Sequence, residues 1–330
     1  MLKLPVYLLV WLLLGVSEAL TLSSVYGASP VQRVAVLTPG LTFEPILVGL
    51  REGLERLGYV DGKNITYIVE DSKGDMTNLE SRAKRLIDAK PDVLFSAATA
   101  PTMTLKQATE SIPIVFAGLI DPVQSGFVAS LVSSGNNLTG VSANLFYQTG
   151  KRLEVLKAFA PQIRKVLTII WTDATVLPTA LKQLQLLEET AAKMKIKVTR
   201  YDVAGIDDLE KLYARDLAPE VDGVFHIPSV IIEKYFDRLV AKLQKERMPM
   251  IVHDESLVRK GALVSFGGER KLYGVQAARL VAKVLKGEKP SNIPIETPEQ
   301  LLTVVNRSTA KMLGSKVSRD AMAHADRFVD

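Results

Sequence analysis

From Arg33 the chain alternates short apolar runs with stretches of helical spacing. RVAVL (33–37) reads as a strand, and Leu47, Leu50, Leu54 and Leu57 mark one face of the helix after it. Gly58 ends that helix and NITYIVE (64–70) is the next strand. A helix over about 79–89 then leads to DVLFSAA (92–98), a helix over about 101–109, and PIVFAG (113–118). The second half repeats the order. KVLTIIW (165–171) is followed by a helix with Leu181, Leu184, Leu187, Ala191 and Met194 on its apolar face. KVTRYDV (197–203), a helix from Asp207, DGVFHIP (222–228), a helix over about 231–245 and MPMIVH (248–253) complete the repeat. Val34, Ile65, Leu79 and Val93 find counterparts at Val166, Val198, Leu209 and Val224, all offset by 130–133 residues.

Strands alternating with helices predict a parallel sheet, because each parallel crossover needs such a connection. The fold class is therefore α/β, with two doubly wound parallel-sheet lobes. After the repeat come a strand at GALVSFGG (261–268), a helix over 272–287 with Val275, Ala278, Leu280 and Val284 inward, and a strand at QLLTVVN (300–306). If that helix packs back on the first lobe, the chain crosses between lobes several times, as a multi-crossing hinge. The expected division is 31–145 plus about 270–297 for the first lobe, and 146–269 plus about 298–330 for the second.

Length agrees with two domains: 330 residues is more than one ordinary core accommodates. The chain is 47% hydrophobic and 23% charged, with a net charge of only +5. Its basic residues are scattered and interleave with no aromatic stripe, so nucleic acid is not an expected partner. Residues 1–27 read as a secretory signal peptide: Lys3, then an apolar segment over about 6–16, then Ser17-Glu18-Ala19 with small residues where cleavage after 19 requires them. Val25-Tyr26-Gly27 offers a second cleavage point, after 27. A retained anchor is the rival reading, although the apolar run is short for a bilayer. There is no cysteine, which excludes both disulfides and a lipid anchor on cysteine. The expected location is a periplasm.

Ligands of open parallel sheets bind beyond the carboxyl ends of the strands. In the first lobe those ends carry Thr42, then Thr99, Ala100 and Thr102, then Asp121-Pro122. The second lobe offers Trp171-Thr172-Asp173, Pro228-Ser229 and Asp254-Glu255. Thr99 is expected as a helix N-cap with Pro101 in the first turn, a start that favours a ligand carboxylate through free N–H groups and the helix dipole. Asp121 and Asp254 suit a ligand ammonium as readily as an ordinary turn. Trp171 suits an apolar or aromatic ligand part or plain core. GxSxG, HExxH, GxGxxG and GxxxxGK are all absent. His253 beside Asp254 and Glu255 raises a metal or acid–base pair, but the sequence places no second histidine with it, so no metal, cofactor or catalytic residue is expected.

GLREGLERLGYVDGKNI, ATAPTMTLKQATESIPIVFAGLIDPVQSGFVASL, NNLTGVS, DESLVRKGALVSFG and QAARLVAKVLKGEKP resemble the periplasmic substrate-binding proteins of ABC transporters, the tryptophan/tyrosine-type group. The resemblance covers about 32–315. It implies a type I periplasmic-binding-protein fold and a monomer that closes on a small solute, such as an amino acid or related carboxylate, for delivery to an ABC permease. Carried over by position, the implied contacts are Thr42, Thr99, Thr102 and Asp121 in the first lobe, and Thr172, Ser229 and Asp254 in the second. HIPSVIIE departs from the more polar sequence common there, and Val230 and Ile231 point to a less polar wall. A sensor of the same fold and a cleft enzyme are the alternatives. A repressor of this fold would need a DNA-binding helix pair where this chain has an export signal.

Overall fold

The structure is a computed structural model and describes residues 31–40, 43–174 and 176–330. The expected signal peptide, both of its cleavage points and Thr42 lie outside the described residues. Strands β1 (Gln32–Thr38), β2 (Ile65–Asp71), β3 (Val93–Ala97), β4 (Ile114–Leu119) and β5 (Leu138–Ser142) form one sheet in the order β2-β1-β3-β4-β5. Every pair in it is parallel. Helices α1 (Glu44–Arg56), α2 (Leu79–Asp88) and α3 (Thr99–Ala108) connect its first four strands. Both faces are covered: Val34, Val36, Phe95 and Val115 enter one apolar cluster, Ala35, Leu37, Leu94 and Phe116 another. Covering on both sides is why these strands read as unbroken apolar runs.

The chain leaves this sheet into α4 (Leu145–Phe159) and builds a second one. Its strands are β6 (Lys165–Trp171), β7 (Lys197–Val203), β8 (Gly223–Phe225), β9 (Met250–Val252), β10 (Val264–Gly267), β11 (Leu302–Asn306) and β12 (Arg327–Val329). The order is β12-β11-β10-β9-β8-β6-β7. Helices α5 (Leu177–Lys193), α6 (Ile206–Ala214), α7 (Val230–Lys234), α8 (Phe236–Lys245) and α9 (Glu255–Arg259) lie between its strands; α10 (Arg270–Leu285), α11 (Arg307–Leu313) and α12 (Arg319–Ala323) follow.

Helix α10 returns to the first sheet and packs along α1. Two glycines set that approach. A Cβ on Gly274 would sit 1.9 Å from the Ile46 carbonyl oxygen, and one on Gly49 would sit 2.0 Å from that of Lys271. The chain therefore passes between the sheets three times, at 143–144, 268–269 and 297–301.

Four expectations are corrected. The parallel sheet has one antiparallel pair, β10 with β11, running Gly267 against Leu302 and Val264 against Val305. The cause is the third crossing: β11 enters its sheet from the edge where β10 ends, so it must run backwards. The single helix over 231–245 is two helices, α7 and α8, that meet at Tyr235. Thr99 is the first residue of α3, and Ala98 occupies the N-cap with φ +69 and ψ 168. Lastly, β5 and α4 were not expected. Asn136, Asn137 and Gly140 give LTGVS the look of a turn, but Gly140 is needed where a Cβ would meet the Phe116 carbonyl oxygen at 2.2 Å. Gln148, Thr149 and Arg152 interrupt the apolar face of α4, yet all three are buried.

Candidate functional site

Strand order reverses direction at two places, between β1 and β3 in the first sheet and between β6 and β8 in the second. Loops leaving such neighbours diverge and open a crevice at the carboxyl edge. The two crevices face one another, and between them lies a cavity of about 590 Å³. That volume suits a small organic molecule. From the first lobe the wall carries Phe43, Thr99, Ala100 and Met103, with Asp75 and Thr77 from the loop after β2. The second lobe presents Ile169, Trp171, Asp173, Ser229, Val230 and Ile231. Crossing segments supply the base, with Ala143, Leu145, Arg270 and Tyr273.

Local chemistry explains the first-lobe edge. At Ala98 the backbone takes a combination of angles that is nearly reserved for glycine and costs about 1–3 kcal/mol. In that conformation the Ala98 carbonyl accepts from the Thr102 hydroxyl at 2.7 Å. Among the described residues the N–H groups of Thr99 and Ala100 meet no acceptor, so the start of α3 faces the cavity with donors to offer. Strain at a ligand-facing turn is a common mark of function. Across the cavity, the Ser229 hydroxyl accepts from the Ile232 N–H at 3.4 Å and caps α7. Near the rim, Ser125 and Thr179 bring their hydroxyl oxygens to 3.4 Å across the gap between lobes.

Thr99, Ala100 and Ser229 thus line one space. The other candidates face elsewhere. The Thr102 hydroxyl is buried against Ser96 at 2.8 Å. Asp121 accepts from the N–H groups of Val123 and Gln124 at 3.0 and 2.9 Å, holding its own turn. Thr172 donates its hydroxyl to the Val203 carbonyl at 3.2 Å. Asp254 caps α9, accepting from the Ser256 N–H at 2.7 Å, and pairs with Arg270 Nε at 2.5 Å.

A buried charged group at the base was not legible in the sequence. Arg270 starts α10, stacks its guanidinium 4.1 Å over Phe43, and pairs with Glu233 at 3.0 Å and with Asp254. It also donates to His253 Nε2 at 2.9 Å. His253 stacks on His226 with ring centroids 5.5 Å apart. Burial, followed by the Arg152 and Arg270 charges, pushes His226 down to about 3. Burial and then Arg270 and His226 hold His253 well below the usual imidazole range. Burial alone lowers Arg270, but Asp254 and Glu233 more than offset it. Both imidazoles are therefore neutral at ordinary pH. For Asp75 and Thr77 a signal was available, since the loop after β2 is a strand end like the others; the Arg270 group, drawn from α7, the end of β9 and the second crossing, carried none.

Two facing α/β lobes, joined by three strands of chain and enclosing a solute-sized space, define a two-lobed solute-binding protein. The fold is that of type I periplasmic binding proteins. The chain belongs to the ABC transporter substrate binding protein family, whose model matches residues 33–329. It is similar to a tyrosine-binding protein of Clostridioides difficile (strain R20291), 28% identical over 274 residues that cover 82% of this chain and 77% of the relative. Among solved structures, a conserved domain protein from Vibrio cholerae O1 biovar eltor superposes with a TM-score of 0.82 at 25% identity, covering 91% of this chain and all of that one. A Streptococcus pneumonia ABC domain in complex with L-Trp gives a TM-score of 0.82 at 22% identity, covering 90% and 99% of the two chains. Among the described residues no helix is long and apolar enough to cross a membrane.

Proposed function

We propose that the chain is the extracytoplasmic receptor of an ABC uptake system and captures an amino acid with an apolar or aromatic side chain. One observation carries this reading: the donor-bearing start of α3 faces Trp171, Val230 and Ile231 across a single interlobe cavity. In the proposed complex the solute carboxylate accepts from the N–H groups of Thr99 and Ala100 and from the Thr99 hydroxyl, at the positive end of the helix dipole. The side chain lies against Trp171 and Ile231, and the ammonium faces the carboxylates of Asp75 and Asp173 at the rim. The names of the relatives, which mention tyrosine and L-Trp, support this solute class.

Closure is hinge motion about the three crossings, with the lobes 31–145 plus about 270–297 and 146–269 plus about 298–330 moving as units. Capture works by population shift: the solute touches both walls only when they are together, so it favours the closed form by its extra contacts there. The closed monomer then presents a surface to the permease, and residues 1–27 export the chain. No turnover is expected of a cavity that holds its solute with hydrogen bonds and apolar contact; among the described residues its wall pairs no nucleophile with a base.

The test is a thermal-shift panel of L-amino acids and small carboxylic acids on the purified chain. At 100 times Kd a true solute stabilises by about 2.7 kcal/mol, and an aromatic L-amino acid should give the largest shift. A panel in which no compound, or only carboxylic acids that are not amino acids, shifts the transition rules the reading out.

A further inference from the structure

We infer that His226, Glu233 and His253 form a binding site for one divalent transition-metal ion of the imidazole-preferring class. Each residue offers a ligand atom, and the three atoms lie within 4.8 Å of one another. Glu233 Oε1 and His253 Nε2 are 3.8 Å apart. Two imidazoles and one carboxylate make a three-ligand set suited to zinc, cobalt or nickel, and ill suited to magnesium or calcium.

A second observation points the same way. Neither ring nitrogen of His226 has a hydrogen-bond partner, although the residue is only 3% exposed. Buried polar atoms are nearly always satisfied, so an orphaned imidazole beside a carboxylate calls for an occupant. The fold presets the group. His226 follows β8 and His253 follows β9, and these strands are adjacent and parallel, so the rings leave the same sheet edge and stack at an interplanar angle of 13°. Glu233 comes from α7, with Oε2 on Arg270 at 3.0 Å and Oε1 facing His253. Such an outer partner fixes the orientation of a ligating carboxylate.

The ion also has a route and a tolerable charge environment. Glu233 and His253 line the cavity, so an ion can enter from it and keep an open coordination position towards it. Arg152 and Arg270 add two positive charges nearby, and Glu233 and Asp254 add two negative ones, so the formal sum is zero. Where the ion takes His253 Nε2, it displaces the contact from Arg270, which retains Asp254.

The experiment is a cobalt(II) titration of chelator-treated protein, read by its visible absorption bands, with zinc competition and magnesium as control. Amino acids are omitted, so the result is independent of the proposed solute. The expected result is saturation at one cobalt per chain, displaced by zinc and not by magnesium. Loss of an outer partner typically weakens a metal site about 10–100-fold, so His226→Gln and Glu233→Gln, each removing a direct ligand, should cost at least about 100-fold. If one variant does not fold, the other decides. A wild-type chain that takes up no cobalt overturns the site without any variant. Uptake that survives both substitutions, or that is lost in His324→Gln on the surface, overturns it as well.

Discussion

Arg270→Met is the perturbation whose consequence follows most directly from the geometry. Arg270, Glu233 and Asp254 are 4%, 1% and 3% exposed, so the ion pairs are deep inside. One guanidinium serves two carboxylates, at 3.0 and 2.5 Å. Removing it strands both carboxylates away from water, and breaking a buried pair in this way costs about 3–5 kcal/mol. Loss of the stack on Phe43 adds up to about 1 kcal/mol. The sum, about 3–6 kcal/mol, is a fifth or more of the roughly 5–15 kcal/mol by which domains are stable. With a urea slope of about 2 kcal/mol/M, the midpoint should fall by about 2 M with the slope unchanged. Far-ultraviolet circular dichroism against urea at neutral pH measures it. Substituting the partners too, as Arg270→Met with Glu233→Gln and Asp254→Asn, removes the stranded charges and should recover most of the loss. A single-variant cost below about 1 kcal/mol, or a triple variant no better than the single, refutes the charge argument.

Gly274→Ala should lose about 1–2 kcal/mol, because the backbone oxygen of Ile46 at 1.9 Å cannot yield and overpacking outweighs the helix propensity gained; a stabilised variant in urea unfolding contradicts it. Ala98→Gly should gain about 1 kcal/mol by relieving the φ +69 conformation, and a lower thermal midpoint counts against the strain. Asp121→Ala should cost about 1–3 kcal/mol for two lost N–H acceptors, yet change solute affinity less than about threefold, since its carboxylate holds its own turn; calorimetry decides. His226 and His253 stay unprotonated in the folded chain while the unfolded chain takes up protons below the ordinary 6.5, and His226 does so only near 3. The unfolded state therefore binds more protons across that window, and stability falls as pH drops through it, by about 1.4 kcal/mol per pH unit for each histidine. In chelator-containing buffer, His226→Asn should flatten the slope of unfolding free energy between pH about 6 and about 5; an unaltered slope sinks the assignment.

The strands of the first sheet were readable because both faces are buried, which turns RVAVL and PIVFAG into continuous apolar runs. The doubling of the chain was readable for the same reason. Hydrophobic pattern failed where burial is polar or backbone-driven: Gln148, Thr149 and Arg152 hid α4, and Gly140 hid β5. The strand-end rule found Thr99, Ala100, Trp171 and Ser229, because it depends only on topology. It cannot tell a side chain that faces the cavity from one that folds back, so Thr102, Asp121, Thr172 and Asp254 were grouped with them. The Arg270 cluster joins residues from α7, the end of β9 and the second crossing, far apart in the chain and carrying no local spacing. Only the assembled hinge brings them together.

A crystal structure of the chain grown with the best amino acid of the thermal panel is the most direct test. The account predicts density for the solute between the two lobes, its carboxylate on the N–H groups of Thr99 and Ala100 and its side chain against Trp171. Solute bound on an outer surface, or a space between the lobes that stays filled only by water at saturating concentration, contradicts it.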